Sequence, residues 1–198
     1  MQYINKMTIS AAVLSTAVVF GVFAIAVQPS LAEQPKVVGT YAFTGAGGCL
    51  QSASGFNANL TPVDPTGNVA LTQTVEGTVT FNSDGTGTRS GTSMTIVEPP
   101  ATSPSVNVST FAGAFTFTVD GDGTIHFQTS TSTTGTFLQG PRTGQTFSVD
   151  EIELSGHAGK NGDTIVLATT VAGVETISFS NGDSAERVCN RSRVETAM

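Results

Sequence analysis

Near the C-terminal end, Arg187, Cys189, Arg191 and Arg193 fall at alternate positions, so in a strand they share one face. A guanidinium presents a planar fork of N–H donors that can hold a carboxylate or phosphate through two hydrogen bonds. Arg187, Arg191 and Arg193 therefore form a candidate fork for the anionic group of a ligand. The plainer alternative is cross-strand pairing with carboxylates, and Glu151 and Glu153 alternate in the same manner. Cys189 has one possible partner, Cys49, near the other end of the chain. An even pair in an exported protein points to a disulfide, here closing a loop of 140 residues. A redox or metal pair would need ligands nearby, and no His-rich neighbourhood accompanies either cysteine.

Other residues carry weaker chemical suggestions. Asp120-Gly121-Asp122-Gly123 has oxygen ligands for calcium but lacks the further ligands and distant Glu of an EF-hand loop, and a hairpin turn explains both glycines. His126 and His157 are isolated from each other and from other ligands, so neither a metal site nor a general base with a local partner is expected. Gly140-Pro141-Arg142-Thr143-Gly144 puts an Arg in a loop that either rims a cavity or simply turns the chain. Asn59-Leu60-Thr61, Asn107-Val108-Ser109 and Asn190-Arg191-Ser192 fit the glycosylation triplet, which matters only in a eukaryotic source. No nucleophile elbow, zinc-binding His-Glu-x-x-His helix or phosphate loop is present, so no catalytic residue is assigned and no cofactor is expected.

These residues sit in a chain with a distinct beginning. Lys6 precedes an uncharged run from Ala11 to Val27, followed by Pro29 and the small-residue exit Ser30-Leu31-Ala32. Charge, apolar core and small-residue exit, in that order, define a secretory signal. We read residues 1–32 as a signal peptide, taken as a helix, and residues 33–198 as a single domain, secreted or periplasmic. The apolar run is at the short limit of the roughly 17–25 residues that span a bilayer, which makes an uncleaved anchor the alternative. No second long apolar run follows, so no membrane contact is expected after cleavage. The formal net charge is −7 for the whole chain and one unit more negative without Lys6. Such a balance repels phosphate backbones, so nucleic acid is not an expected partner. Self-association is left open.

The remainder is rich in Thr, Ser, Gly, Val and Phe, and its periodicity is two. Val75, Val79 and Phe81 alternate with Glu76, Thr78 and Thr80. Asn82-Ser83-Asp84-Gly85, Asp120 to Gly123, Asn161-Gly162-Asp163 and Asn181-Gly182-Asp183 mark tight hairpins. A first strand runs from Lys36 to Phe43 and breaks at Gly45–Gly48; residues 51–67 form a loop, and Glu98 to Val108 forms another around Pro99, Pro100 and Pro104. Within Gln145–Ser155 the apolar parity slips between Phe147/Val149 and Ile152/Leu154, which a bulge near Asp150 would reconcile. The expected architecture is all-β: an antiparallel meander of about eight to ten strands closing into a barrel, with a β-sandwich as alternative.

Three segments carry a resemblance: Gly39-Thr40-Tyr41-Ala42-Phe43, Phe81 through Thr88, and Phe115 through Thr124. They resemble a group of small exported bacterial β-barrel proteins, and the pattern is similar to allene oxide cyclase-like and dirigent-like barrels and, more distantly, to lipocalin-like barrels. The resemblance implies a barrel with an apolar cavity and transfers no catalytic residue. The expected function is a non-catalytic exported barrel binding a small apolar, amphipathic or anionic ligand. The alternatives are a cyclase- or isomerase-type barrel enzyme and a surface or structural protein.

Overall fold

Thr, Val and Phe suit a pleated, half-buried surface, and their alternation gives each strand one inward and one outward face. The computed structural model describes residues 36–98, 105–150 and 152–198, and there the chain is all-β and antiparallel. The signal assigned to residues 1–32 lies outside the described residues. Eleven strands follow in order: β1 (Gly39–Ser52), β2 (Val69–Phe81), β3 (Thr86–Val97), β4 (Ser105–Val119), β5 (Thr124–Thr129), β6 (Thr133–Gln139), β7 (Thr146–Val149), β8 (Glu153–Ala158), β9 (Thr164–Ala168), β10 (Val174–Phe179) and β11 (Ser184–Ala197). β1 pairs with β11 from Tyr41↔Ala197 to Ser52↔Glu186, which closes the sheet into a barrel and removes its edges.

The barrel wall is built in two tiers. β1, β2, β3, β4 and β11 are long and run through both. Between β4 and β11 the wall is filled by β5, β8 and β9 in the upper tier and by β6, β7 and β10 in the lower. β4 accordingly pairs with β5 along Phe115–Val119 and with β6 along Val108–Ala112. β11 does the same, with β9 along Ser192–Thr196 and β10 along Ser184–Val188. Either route around the barrel crosses eight strands.

The upper tier is packed solid. Phe81, Phe115, Phe127, Ile125, Ile165 and Leu167 are all fully buried there. Phe81 meets Phe115 and Phe117 edge-on at 5.3 and 4.9 Å, and Phe115 stacks on Phe127 at 4.2 Å. Each such side chain contributes about 1.5–3 kcal/mol by leaving water. Hairpin turns at Gly85 and Gly123 set the register, with φ of 81° and 87° that suit glycine.

Three sequence expectations need correction. β1 does not break at Gly45–Gly48 but runs on to Ser52, because its glycines lie in register against β2 and β11 and lose no backbone bonding. The segment read as a loop from Glu98 to Val108 is shorter: Ser105–Val108 belongs to β4 and pairs with Met94–Val97 of β3. The parity slip near Asp150 is no bulge within one strand. β7 ends at Val149 and β8 begins at Glu153, and between them the chain changes tier, which lets Val149, Ile152 and Leu154 all face inward.

Candidate functional site

The odd-numbered residues of β11 point into the barrel, so Arg187, Arg191 and Arg193 enter its middle together with Cys189 and Glu195. Room for them comes from β1. Gly45 faces Arg193 and Gly47 faces Arg191 across the β1–β11 pairing. A Cβ at Gly47 would sit 3.0 Å from Arg191 Cγ and 2.5 Å from the Asn190 carbonyl oxygen; one at Gly45 would sit 3.3 Å from Arg193 Cβ and 2.7 Å from the Ser192 carbonyl oxygen. The glycines that looked like strand breakers are spaces that the arginines fill. Gly47→Leu should therefore cost about 1–3 kcal/mol in a denaturant titration, by forcing β1 away from β11. A neutral effect would show that the β1–β11 pairing shifts at Gly47 without loss of stability, against the close packing of Gly47 on Arg191.

Two carboxylates complete the cluster. Glu175 of β10 stands opposite Arg187 in register. Arg187 Nε donates to Glu175 Oε2 at 3.0 Å, and Arg191 grips the same carboxylate with both Nη groups, Nη2 at 2.6 Å from Oε2. Burial pushes the Glu175 carboxyl up, yet the hydrogen bonds and charges of Arg191 and Arg187 outweigh it and leave it below the usual range. Glu195 is fully buried, with Oε1 2.7 Å from Arg193 Nη2. The pair touches without the alignment of a hydrogen bond, and among the described residues neither Glu195 oxygen accepts one. Burial, ahead of the attraction of Arg193, raises its carboxyl. The Arg193 guanidinium lies between the Phe43 and Phe127 rings, at 4.9 and 5.1 Å.

A fourth arginine joins from the opposite wall. Arg89 of β3 is 6% exposed, donates from Nη2 to Thr133 Oγ1 at 2.7 Å, and has an unpartnered Nε. Burial, then the charges of Arg193 and Arg191, pull its guanidinium down to about 9. Burial likewise pulls Arg187 down to about 10, with Arg191 adding to the effect. Four guanidinium groups thus share the barrel interior with two carboxylates.

Two neighbouring cavities adjoin this cluster. The inner one, about 80 Å³, has all four arginines in its wall, and neither Glu175 nor Glu195. The outer one, about 260 Å³, occupies the lower tier, and its wall mixes apolar side chains such as Leu71, Phe137, Ile177 and Phe179 with polar ones such as Gln51, Thr95, Asn107 and Ser109. Gln73, Ser93, Phe147 and Arg187 belong to both walls. Arg142, in the turn between β6 and β7, lies 3.9 Å over the Phe179 ring and lines the outer cavity.

The remaining candidates stand apart. The disulfide joins Cys49 to Cys189 across the β1–β11 pairing. Glu153 does not face the arginines: it is exposed and accepts from Gln128 at 3.0 Å, and Glu151 lies outside the described residues. Asp122 is engaged by the Thr124 backbone in a turn. His126, contrary to the expectation of no local partner, has one in Asp120 at 3.3 Å on the exposed surface, because the hairpin turn brings the two together. Among the described residues no cluster of His, Cys, Asp and Glu could hold a metal ion. No helix among them is long and apolar enough to cross a membrane.

Arg89, Glu175 and Glu195 were not singled out from the sequence, although the signals were there. The turn at Asn181–Asp183 sets Glu175 opposite Arg187, and Glu195 continues the parity of the arginines. Arg89 pairs with Val79, which lies on the apolar face of β2. Comparison with family models and with curated proteins finds no match for the chain.

Proposed function

We propose that this is an exported, non-catalytic barrel that binds one small amphipathic molecule in its lower tier. The observation that carries the reading is the contrast between tiers. The upper tier is filled by Phe and Ile side chains, whereas the lower holds a chamber of about 260 Å³ whose wall sets an apolar cluster at Phe137, Phe147, Ile177 and Phe179 beside polar groups and the Arg187 guanidinium. A chamber of that size is below the roughly 300–1,000 Å³ of a drug-sized site, so its occupant is small. The disulfide supports an oxidising compartment. A cyclase- or isomerase-type enzyme, whose signature is a buried carboxylate or arginine with a shifted pKa in a cavity, is the second reading: Arg89 and Arg187 line the inner cavity with guanidinium groups pulled down by burial, while Glu175 and Glu195 are absent from both linings. A surface role would rest on outward Leu50, Met94, Ile96 and Val106, and stable self-association in sedimentation would be its signature.

The chain contains no tryptophan, so Phe137→Trp installs a single reporter in the chamber wall. Straight-chain alcohols should shift its emission saturably with one site per chain. Affinity should rise about fourfold per CH₂, the equivalent of about 0.8 kcal/mol, until the chamber is full. An unsaturable response, or affinity that ignores chain length, would remove this reading.

A further inference from the structure

We infer that the inner cavity is an oxyanion site, built by Arg89, Arg187 and Arg193 with Arg191 behind them, which receives the carboxylate, sulfate or phosphate head group of the lumen's occupant. The head-group assignment rests on the amphipathic-ligand reading; the oxyanion site itself does not.

Three observations converge on it. The first is charge. Four buried or half-buried guanidinium groups are matched by two carboxylates, and Glu175 alone already engages both Arg187 and Arg191. Cations left in a low-dielectric interior without counter-charge are costly, and an anion placed among them removes that cost. The second is unused donors. Arg89 Nε and Arg193 Nε have no hydrogen-bond partner among the described residues, at 6% exposure for each residue. Arg187, 9% exposed, donates only through Nε within the described residues, which leaves its two Nη groups beside the cavity. The third is the wall. The inner cavity meets all four arginines and neither carboxylate, so an anion there touches guanidinium groups directly, with Glu175 and Glu195 held on their arginine partners outside the wall. Ser93 and Thr133 add hydroxyl groups to the lining.

The volume fits the class. About 80 Å³ is ample beyond the roughly 10–15 Å³ that one water needs, and it admits a head group of a few heavy atoms but no long chain. The chain of an amphipathic ligand would continue past Gln73 and Phe147 into the outer chamber, since both residues belong to both walls. Arginine suits the task because its fork geometry matches planar and tetrahedral oxyanions alike.

The test uses sodium sulfate as probe, on the mature protein, at ionic strength held constant with sodium chloride. Thermal denaturation should show a sulfate-dependent, saturable rise in Tm, and calorimetry one site per chain. Arg187→Gln is the informative variant, because Arg191 still holds Glu175 when Arg187 is gone. It should weaken sulfate binding about tenfold or more, whereas Lys160→Gln, at an exposed lysine outside both cavity walls, should leave it unchanged. Absence of a saturable sulfate response in the wild type, which needs no variant to fold, overturns the oxyanion site. Equal sulfate affinity in wild type and Arg187→Gln does the same. Octanoate against octanol, read with the Phe137→Trp reporter, separates a head group from a free ion. Octanoate about tenfold tighter and displaced by sulfate supports the head-group assignment. Octanoate no tighter than octanol overturns it. Sulfate binding with no alcohol binding overturns the amphipathic-ligand reading and leaves a site for a free oxyanion.

Discussion

Glu175→Gln lowers the free energy of unfolding by about 3–5 kcal/mol, because it leaves the Arg187 and Arg191 guanidinium groups buried without their shared counter-charge. The loss is also pH-dependent, with a definite sign. The folded-state pKa of Glu175 lies below its usual value, since the two arginines outweigh the burial that would raise it. Its contribution is therefore complete above the ordinary carboxylate range and disappears as pH falls through the depressed folded value. Urea titrations of wild type and variant should differ most near neutrality and converge in acid. Glu195 acts in the opposite direction: burial raises its folded pKa, so its contribution holds at low pH and is lost as pH climbs through that raised value. A Glu175→Gln effect under about 1 kcal/mol, or one that stays constant with pH, would contradict the ion-pair geometry. Replacing Glu175, Arg187 and Arg191 together by Met should restore most of the stability while abolishing sulfate binding. That outcome would show that the charges are kept for recognition.

Removing the disulfide with Cys49→Ala and Cys189→Ala should cost about 5 kcal/mol on the chain-entropy estimate for so long a loop. The reason lies in the unfolded chain. The bond ties positions 140 residues apart, so nearly the whole described domain loses freedom when unfolded. The same two positions lie in the pairing that closes the barrel, so the bond also holds first strand to last. Without it the β1–β11 pairing must form across almost the full chain length. Equilibrium denaturation with and without reductant measures the effect, and a loss below about 1 kcal/mol would mean that the unfolded chain already keeps β1 and β11 together.

Much of this fold can be read from its sequence, and the reasons are local. Period two with Thr, Val and Phe specifies strands, and Asn-Gly and Asp-Gly turns specify hairpins, as at Gly85, Gly123, Gly162 and Gly182, all at positive φ. The cysteines indicate closure. What local signals do not carry is the two-tier wall. A strand such as Thr133–Gln139, with Gly135 in its middle and little apolar alternation, acquires its identity from pairing with β4, across the intervening β5, and with the four-residue β7. Gly45 and Gly47 mislead for a similar reason: their meaning lies in Arg193 and Arg191, more than a hundred residues away. The shared parity of Arg187, Arg191 and Arg193 is plain in the sequence, but their inward direction depends on which face the closed barrel turns inside.

The two-tier wall also separates what must stay from what can change. The side chains that specify the barrel, Phe81, Phe115, Phe127 and Ile165 among them, crowd one tier, while the walls of the outer chamber at Phe137, Phe147, Ile177 and Phe179 come from short strands in the other. Selection can rewrite those short strands for a new occupant with the folding core intact. The arginines sit on long strands common to both routes around the barrel, so a lineage of such proteins would inherit the polar middle and diversify the chamber of the lower tier.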